Sequence, residues 1–161
     1  LGDLVVRAEG LAKAFGDQYL LIEARPGPDA ARRMFAGEDD LGELAKDVKR
    51  FAESLPSKRE WWKRQLREIK ARGQRAVIWG SGSKAVAYLT TLGIGSEIEY
   101  VVDINPYKHG MYLAGTGHEI VPPAFLKGYR PDVVIVMNPI YTDEIRQDLE
   151  RMGVVAEPIE V

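Results

Sequence analysis

The stretch RAVIWGSGSKAVAYLTTLG, residues 75–93, decides the fold. It is typical of a short apolar strand, a glycine-containing turn and a helix. In a Rossmann-like unit the first glycine permits the tight turn, the second lets the backbone approach a ligand, and a small third residue lets helix and strand pack closely. Gly80, Gly82 and Ala85 occupy these three places. The pattern predicts a Rossmann-like unit that begins at about residue 74.

Alternating strands and helices continue from this stretch to the end of the chain. The predicted strands are residues 76–80, 99–103, 118–121, 132–138 and 154–161, and the predicted helices are residues 83–92, 123–127 and 142–152. Their Val and Ile runs are typical of strands covered on both faces. We therefore expect an α/β fold over residues 74–161, a Rossmann-like doubly wound parallel sheet.

The N-terminal region, residues 1–27, is predicted to form a β-hairpin. Two apolar runs, LAKAF and QYLLIEA, flank the turn Phe15-Gly16-Asp17, and a segment rich in Pro and Gly follows them. A hairpin of this size cannot bury both faces alone, so we expect it to dock on another part of the protein.

Residues 28–73 are predicted to be a linker followed by two bridging helices. Apolar residues at helical spacing predict the first helix from about residue 39 to residue 54, with Leu55-Pro56 as its end. Ser57 and Glu60 match a Ser-x-x-Glu capping box, which predicts a second helix ending near Gly73. The many charged side chains form either a solvated face or a docking surface for a neighbouring domain.

Composition excludes several classes of protein. The 161 residues are 45% hydrophobic and 29% charged, with a formal net charge of -2 and both signs mixed, which argues against a nucleic-acid partner. The chain has no cysteine, which excludes disulfides and thiolate zinc sites within it. No apolar run approaches a membrane span and the N-terminus is unlike a signal peptide, so we expect no membrane partner and a cytoplasmic location.

The glycine turn has two interpretations. Backbone N–H groups at the start of the following helix suit a phosphate or carboxylate, to which Ser81 and Ser83 would add hydroxyls and Lys84 a cation. Asp103 ends the second strand, where an acidic residue usually meets ribose hydroxyls, so the spacing fits NAD, although nothing else in the chain supplies hydride chemistry. The alternative is a turn that serves packing only.

The loop between residues 104 and 118 is longer than a connection requires and follows a strand, where loops often carry binding residues. Asn105, Lys108 and His109 are candidate partners of a phosphate or sugar; alternatively they are simply exposed. The usual strand order places Asn138 opposite the glycine turn, as a ligand-facing amide or as part of a strand-exit turn. Two histidines without clustered carboxylates predict no metal site, and we find no nucleophile elbow.

Three runs carry a resemblance to a known family: VIWGSGSKAVAYLTTLG, YVVDINPYKHGMYLAGTGHEIVPP and PDVVIVMNPIYTDEI. Together they resemble the C-terminal domain of the SAM-dependent sugar C-methyltransferases that act on nucleotide-linked deoxysugars. The resemblance covers roughly Leu41 to the end, and its most specific part is the D-x-N-P-x-K-x-G run from Asp103 to Gly110. One departure is Ala114, where the family tends to have Pro before Gly-Thr.

The resemblance implies an organisation larger than this chain. Members of the family combine an N-terminal zinc-binding module, a central SAM-binding domain and a C-terminal Rossmann-like domain that helps to hold the nucleotide sugar. Residues 1–27 would then be the end of a truncated methyltransferase domain. The SAM site, the catalytic residues and the catalytic partner domain would lie outside this chain, which alone would be inactive.

Three functional hypotheses follow. The first is a substrate-binding C-terminal portion of a methyltransferase, the second is a stand-alone NAD-binding module or sensor, and the third is a domain whose glycine turn serves packing alone. For the first, the candidate substrate-binding residues are Gly80, Ser81, Gly82, Ser83, Lys84, Asp103, Asn105, Lys108, His109 and Asn138.

Overall fold

The computed structural model describes residues 6–14, 19–26 and 39–161. The chain divides into two compact units, Leu1–Glu53 and Ser54–Val161. This division precedes residue 74, where the sequence predicts the start of the Rossmann-like domain. The reason is that the helix before residue 74 contributes Trp62, Leu66 and Ile69 to the core of the second unit.

The predicted hairpin is present. Strands β1 (Val6–Ala14) and β2 (Tyr19–Pro26) pair antiparallel, with an irregularity in register between Ala8 and Gly10. Every residue of β2 is exposed, including its apolar run from Tyr19 to Ile22. The predicted turn at residues 15–17 and the predicted linker up to residue 38 lie outside the described residues.

In place of the two predicted helices the structure has one, α1 (Leu41–Ala71), which continues through Pro56. Ser57 is therefore not an N-cap: its Oγ donates to the carbonyl oxygen of Ser54 at 2.9 Å, inside the helix. Proline removes one backbone donor and clashes with the carbonyl four residues earlier, but the 31-residue helix retains its hydrogen bonds on either side. A helix-compatible pattern on both sides of Pro56 outweighed the local break.

The second unit is an α/β sheet domain, which confirms the predicted fold class. Its strands are β3 (Ala76–Trp79), β4 (Tyr100–Val102), β5 (Glu119–Val121), β6 (Val133–Val136) and β7 (Glu157–Glu160), and its further helices are α2 (Ser83–Leu92), α3 (Leu126–Tyr129) and α4 (Thr142–Met152). The strands pair in parallel in the order β5-β4-β3-β6-β7.

The inner strands of the sheet are buried on both faces, as their Val and Ile runs predict, whereas the edge strand β7 is partly exposed. Side chains alternate along β3: Ile78 packs with Trp62 of α1 and Leu89 of α2, whereas Val77 belongs to the opposite cluster with Leu126 of α3. Full burial of one such side chain contributes roughly 1.5–3 kcal/mol. Strand β3 is therefore packed on both faces, with α1 and α2 on one side and α3 on the other.

The strand order places the carboxyl end of β3 at a topological switch point, where the order of the strands reverses. From β3 the chain proceeds to β4 and β5 on one side and then returns to β6 on the other. Gly80 follows β3, and Met137 and Asn138 follow β6, so these residues meet at the carboxyl ends of adjacent strands. In open α/β sheets, ligands bind in the crevice at this position.

Candidate functional site

The three small residues of the glycine turn have different structural roles. Gly80 has a φ of 110°, and a Cβ on it would lie 3.4 Å from the Cβ of Met137. Ala85 is fully buried in the core. Gly82, by contrast, has a φ of -81° and open space around its Cβ position. The fold requires small residues at 80 and 85, whereas the local structure does not require glycine at 82.

Asp103 follows β4, and its carboxylate is bound by the chain itself. Oδ2 accepts hydrogen bonds from the Ser81 backbone N–H at 3.0 Å, from the Ser81 hydroxyl, and from Lys108 Nζ at 3.2 Å. Oδ1 accepts the Asn105 backbone N–H at 2.9 Å. The carboxylate thus links the glycine turn to the loop after β4, and four internal donors occupy the group that the NAD interpretation assigns to ribose hydroxyls.

These hydrogen bonds keep Asp103 charged. Burial raises the pKa of its carboxyl group, but the hydrogen bonds from Ser81, Asn105 and Lys108 outweigh burial and lower the pKa from 3.8 to about 2. The side chain of Asp103 is only 11% exposed, and Lys108 forms the ion pair that compensates its charge. Asp103 therefore positions Ser81 and Lys108 at neutral pH.

The loop after Asp103 folds back toward the glycine turn. Asn105 Oδ1 accepts the backbone N–H two residues later and so caps a short 3-10 turn. Lys108 Nζ also donates to Ser81 Oγ at 3.2 Å, and His109 Nε2 donates to the Asp103 carbonyl oxygen at 2.7 Å. Five of the sequence-predicted site residues are thus brought together in one hydrogen-bonded network.

The other predicted residues lie at the beginning of α2 and at the end of β6. Gly82 is the N-cap of α2 and has no side chain to cap it, and Ser83 and Lys84 are exposed in the first turn. Lys84 Nζ approaches Asn138 Oδ1 at 3.4 Å, across the strand junction. This contact confirms that Asn138 lies opposite the glycine turn.

A crevice of about 270 Å³ lies beside this network, at the switch point between β3 and β6. Its walls are mostly apolar, with carboxylates and one amide among them. The lining residues are Trp79, Gly80, Asp103, Ile104, Met137, Asn138, Tyr141, Glu144, Ile145 and Asp148.

Sequence reasoning missed the α4 side of the crevice. Tyr141, Glu144, Ile145 and Asp148 all line it, and their spacing places them on one face of a helix. The signal was available, because a helix that follows a strand at the switch point presents its first turns to the crevice. An acidic residue in the first turn, such as Glu144, is also explained by the helix dipole, so the sequence alone does not assign it to a site.

The amino-acid sequence matches a known protein family. Residues 22–155 match the family of C-methyltransferase C-terminal domains. The chain belongs to this family. The match covers α1 and the Rossmann-like unit up to the end of α4, and it agrees with the resemblance that the sequence motifs indicate.

Solved structures similar to this C-methyltransferase C-terminal domain include those of a repressor. A crystal structure of RSP, a Rex-family repressor, matches at 18% identity and a TM-score of 0.38, over 57% of this chain and 57% of the repressor chain. RSP in complex with beta-NADH matches at 18% identity and a TM-score of 0.37, over 73% of this chain and 68% of the other. No curated protein matches significantly.

The geometry explains the most specific motif of this C-methyltransferase C-terminal domain. In the D-x-N-P-x-K-x-G run, Asp103, Asn105 and Lys108 form the network described above. Gly110 has a φ of 75°, and its N–H donates to the Ile120 carbonyl oxygen at 2.9 Å. The motif therefore fixes the shape of the loop at the mouth of the crevice.

Two further findings concern the described residues of this C-methyltransferase C-terminal domain. Within residues 6–14, 19–26 and 39–161, no group of three His, Asp or Glu side chains could hold a metal ion. No helix in these same ranges combines the length and apolar character needed to cross a membrane.

Proposed function

We propose that this chain is the C-terminal, substrate-binding portion of a SAM-dependent C-methyltransferase and that it holds a nucleotide-linked sugar. Membership of the C-methyltransferase C-terminal domain family supports the methyltransferase part. The observation that carries the substrate part is the crevice at the switch point, which has mostly apolar walls and two lining residues, Asp103 and Asn138, that are hydrogen-bonded to Lys108 and Lys84.

The diphosphate of the substrate fits the mouth of the crevice. The exposed start of α2 has no side-chain cap, and Gly82 allows a phosphate to approach its backbone. Lys108 donates to Ser81 and Asp103, and since an ammonium group has three N–H donors, one is left for a phosphate oxygen. Lys84 adds a second cation in the first turn of α2.

The sugar fits the interior of the crevice. Tyr141 offers a flat apolar surface to a ring beside the largely buried Trp79, while Asn138, Glu144 and Asp148 offer acceptors for hydroxyl groups. Such a mixture of apolar walls and a few polar groups is typical of small-molecule sites. Carboxylates inside the crevice would repel phosphate, which favours placing the uncharged ring there.

In the intact enzyme this chain contributes orientation. The methyl group comes from SAM, which binds outside this chain. A base in the catalytic domain would remove a proton from the sugar carbon next to a carbonyl group, and the resulting enolate carbon would take the methyl group as its bond to the SAM sulfur breaks, with S-adenosylhomocysteine as the leaving group. Holding the nucleotide sugar fixed reduces the entropic part of the barrier to that attack.

Substitution of Gly82 separates a binding turn from a packing turn. Gly82→Val introduces a side chain into open space at an extended backbone, so we expect unfolding free energy to change by at most about 1 kcal/mol. The same side chain blocks approach to the backbone, so calorimetric titration with thymidine diphosphate glucose should show at least a tenfold loss of affinity. If Gly82→Val bound thymidine diphosphate glucose as tightly as the unchanged protein, the glycine turn would serve packing only.

Lysine substitution provides a matched pair for the same titration. Lys108→Met removes the ammonium group at the crevice mouth, whereas Lys127→Met removes an exposed one on α3. We expect weaker binding of the nucleotide sugar for the first variant only. Binding of NAD in preference to the sugar nucleotide would contradict the proposal, as would methyl transfer from SAM by this chain alone at the rate of an intact enzyme.

A further inference from the structure

The loop after β4 exposes an aromatic ring beside the proposed phosphate site. Tyr107 is 85% exposed, which is more than any other of the seven tyrosines of the chain. It is the middle residue of the 3-10 turn Pro106–Lys108, so Lys108, the proposed phosphate ligand, follows it directly. Ile104, three residues before it, lines the crevice. The turn that carries the ring therefore lies at the mouth of the crevice.

Hydrogen bonds on either side fix the backbone under this ring. Asn105 Oδ1 accepts the N–H of Tyr107 at 3.1 Å, and the N–H of Lys108 donates to the Asn105 carbonyl oxygen at 3.1 Å. After the turn, His109 Nε2 donates to the Asp103 carbonyl oxygen at 2.7 Å. A ligand that covers a ring on a backbone already fixed pays little for ordering it. The turn thus presents the ring face as a preformed surface.

An exposed aromatic face next to a fixed cation matches the order of groups in a nucleotide. Lys108 directs its ammonium group to Ser81, and successive residues of a 3-10 turn point about 120° apart, so the ring of Tyr107 faces solvent instead. A nucleotide likewise has an anionic phosphate and, beyond the ribose, a flat base. Asn105 Oδ1 and His109 Nε2 are already bound to the backbone, so the ring face is what this turn offers to a base.

We propose that Tyr107 is the residue on which the base of the nucleotide sugar stacks. This inference rests on the proposed nucleotide-sugar function and extends it from the diphosphate and the sugar to the base. Lys108 holds a phosphate oxygen, the sugar enters the crevice, and the base lies outside it against the phenol ring. Since every base has a π face, stacking contributes affinity and orientation rather than selection of one base.

Two ligands that share a diphosphate and differ in the nucleoside test the proposal. Thymidine diphosphate and inorganic pyrophosphate are titrated by calorimetry into the unchanged chain and into its variants. We expect Tyr107→Ala to weaken thymidine diphosphate binding about tenfold, as for the loss of one stacked base, and to leave pyrophosphate binding unchanged. Tyr107→Phe keeps the ring face and should bind both ligands like the unchanged chain. Tyr112→Ala removes another exposed tyrosine of the same loop and should also bind both ligands like the unchanged chain.

The proton spectrum of the bound nucleotide reports stacking directly. A base stacked on an aromatic ring has its thymine methyl signal shifted upfield by the ring current, so we expect this shift with the unchanged chain and with Tyr107→Phe but not with Tyr107→Ala. Thermal melting of each variant confirms that the fold is retained.

The outcomes that contradict the inference differ from those that contradict the proposed function. The inference alone is overturned if Tyr107→Ala binds thymidine diphosphate as tightly as the unchanged chain. It is also overturned if this variant loses pyrophosphate affinity to the same extent, because Tyr107 would then only shape the phosphate site. If the unchanged chain binds neither ligand at millimolar concentration, the proposed function fails as well.

Discussion

The first half of α1, residues 41–55, and the second half, residues 56–71, have the same helical spacing of apolar residues. They differ in how far those apolar side chains are buried. In the first half Leu41, Leu44 and Val48 are more than half exposed, whereas in the second half Trp62 and Leu66 are buried. Helical periodicity therefore predicts that a helix forms, but it does not predict what covers the apolar stripe.

The two halves also differ in what stabilises them. In the second half Trp62 meets Tyr88 of α2 edge to face, with ring centroids 5.3 Å apart, inside the main core cluster. In the first half the described contacts include exposed ion pairs such as Lys46 with Glu43 and Arg50 with Asp47. Exposed pairs contribute at most about 1 kcal/mol each, so the second half has the stronger anchor.

The same substitution in each half tests this comparison directly. Leu66→Ala empties a fully buried position, so we expect the free energy of unfolding to fall by about 3 to 4 kcal/mol. Leu44→Ala shortens an exposed side chain, so we expect a change within about 0.5 kcal/mol. Tryptophan fluorescence in urea measures the first change, because Trp61, Trp62 and Trp79 all lie in the second unit, and circular dichroism of helix content measures the second, since Leu44 lies in the first unit.

A large loss of stability for Leu44→Ala would break the comparison. It would mean that the apolar stripe of the first half is covered in solution. Equal and small effects of the two substitutions would instead contradict the anchoring role of Leu66.

The junction of the two halves is Pro56, which lies inside the helix. Pro56→Ala restores a backbone N–H for the Ala52 carbonyl oxygen and removes the ring clash, so we expect a gain of about 2 to 3 kcal/mol in helix stability. Circular dichroism during thermal melting measures the gain. A loss of helicity would show that the proline is needed for the path of the chain.

The sequence predicted the structure correctly where a residue pattern is compatible with few folds. Buried Val and Ile runs that alternate with helices allow few arrangements, so the parallel sheet and the position of Asn138 followed from them. Pro56 is a different case, because a local break competes with helical pattern on both sides. The break was predicted, and the longer-range pattern prevailed.

The site was only partly predictable for a related reason. Asp103, Ser81 and Lys108 were identified as functional candidates, but a sequence does not reveal whether a carboxylate binds a ligand or its own chain. Tyr107 was not among the candidates, since the sequence does not show that its ring faces solvent beside Lys108.

Acidification tests the hydrogen bonds around Asp103 in the second unit. The pKa of Asp103 is about 2 in the fold against an ordinary 3.8, so its stabilisation is present above pH 4 and is lost as the pH falls toward 2. The expected loss is about 2 kcal/mol, measured by tryptophan fluorescence in urea at each pH. Asp103→Asn should remove this pH dependence, while Asp143→Asn, which alters an exposed ion pair of α4, should retain it.

The smallest expected effect decides whether α1 is one helix or two. If Ser57 were an N-cap, Ser57→Ala would cost about 0.5–2 kcal/mol, because a backbone N–H would lose its acceptor. In the continuous helix the hydroxyl only donates to the Ser54 carbonyl oxygen, and alanine is the better helix former, so we expect a change near zero or a gain of a few tenths of a kcal/mol. Ser54→Ala is the matched control one turn earlier. If Ser57→Ala alone lowered the free energy of unfolding by 1 kcal/mol or more, Ser57 would be an N-cap and the two-helix arrangement would be correct. The second helix, which carries Trp62 into the core of the second unit, would then begin at Ser57.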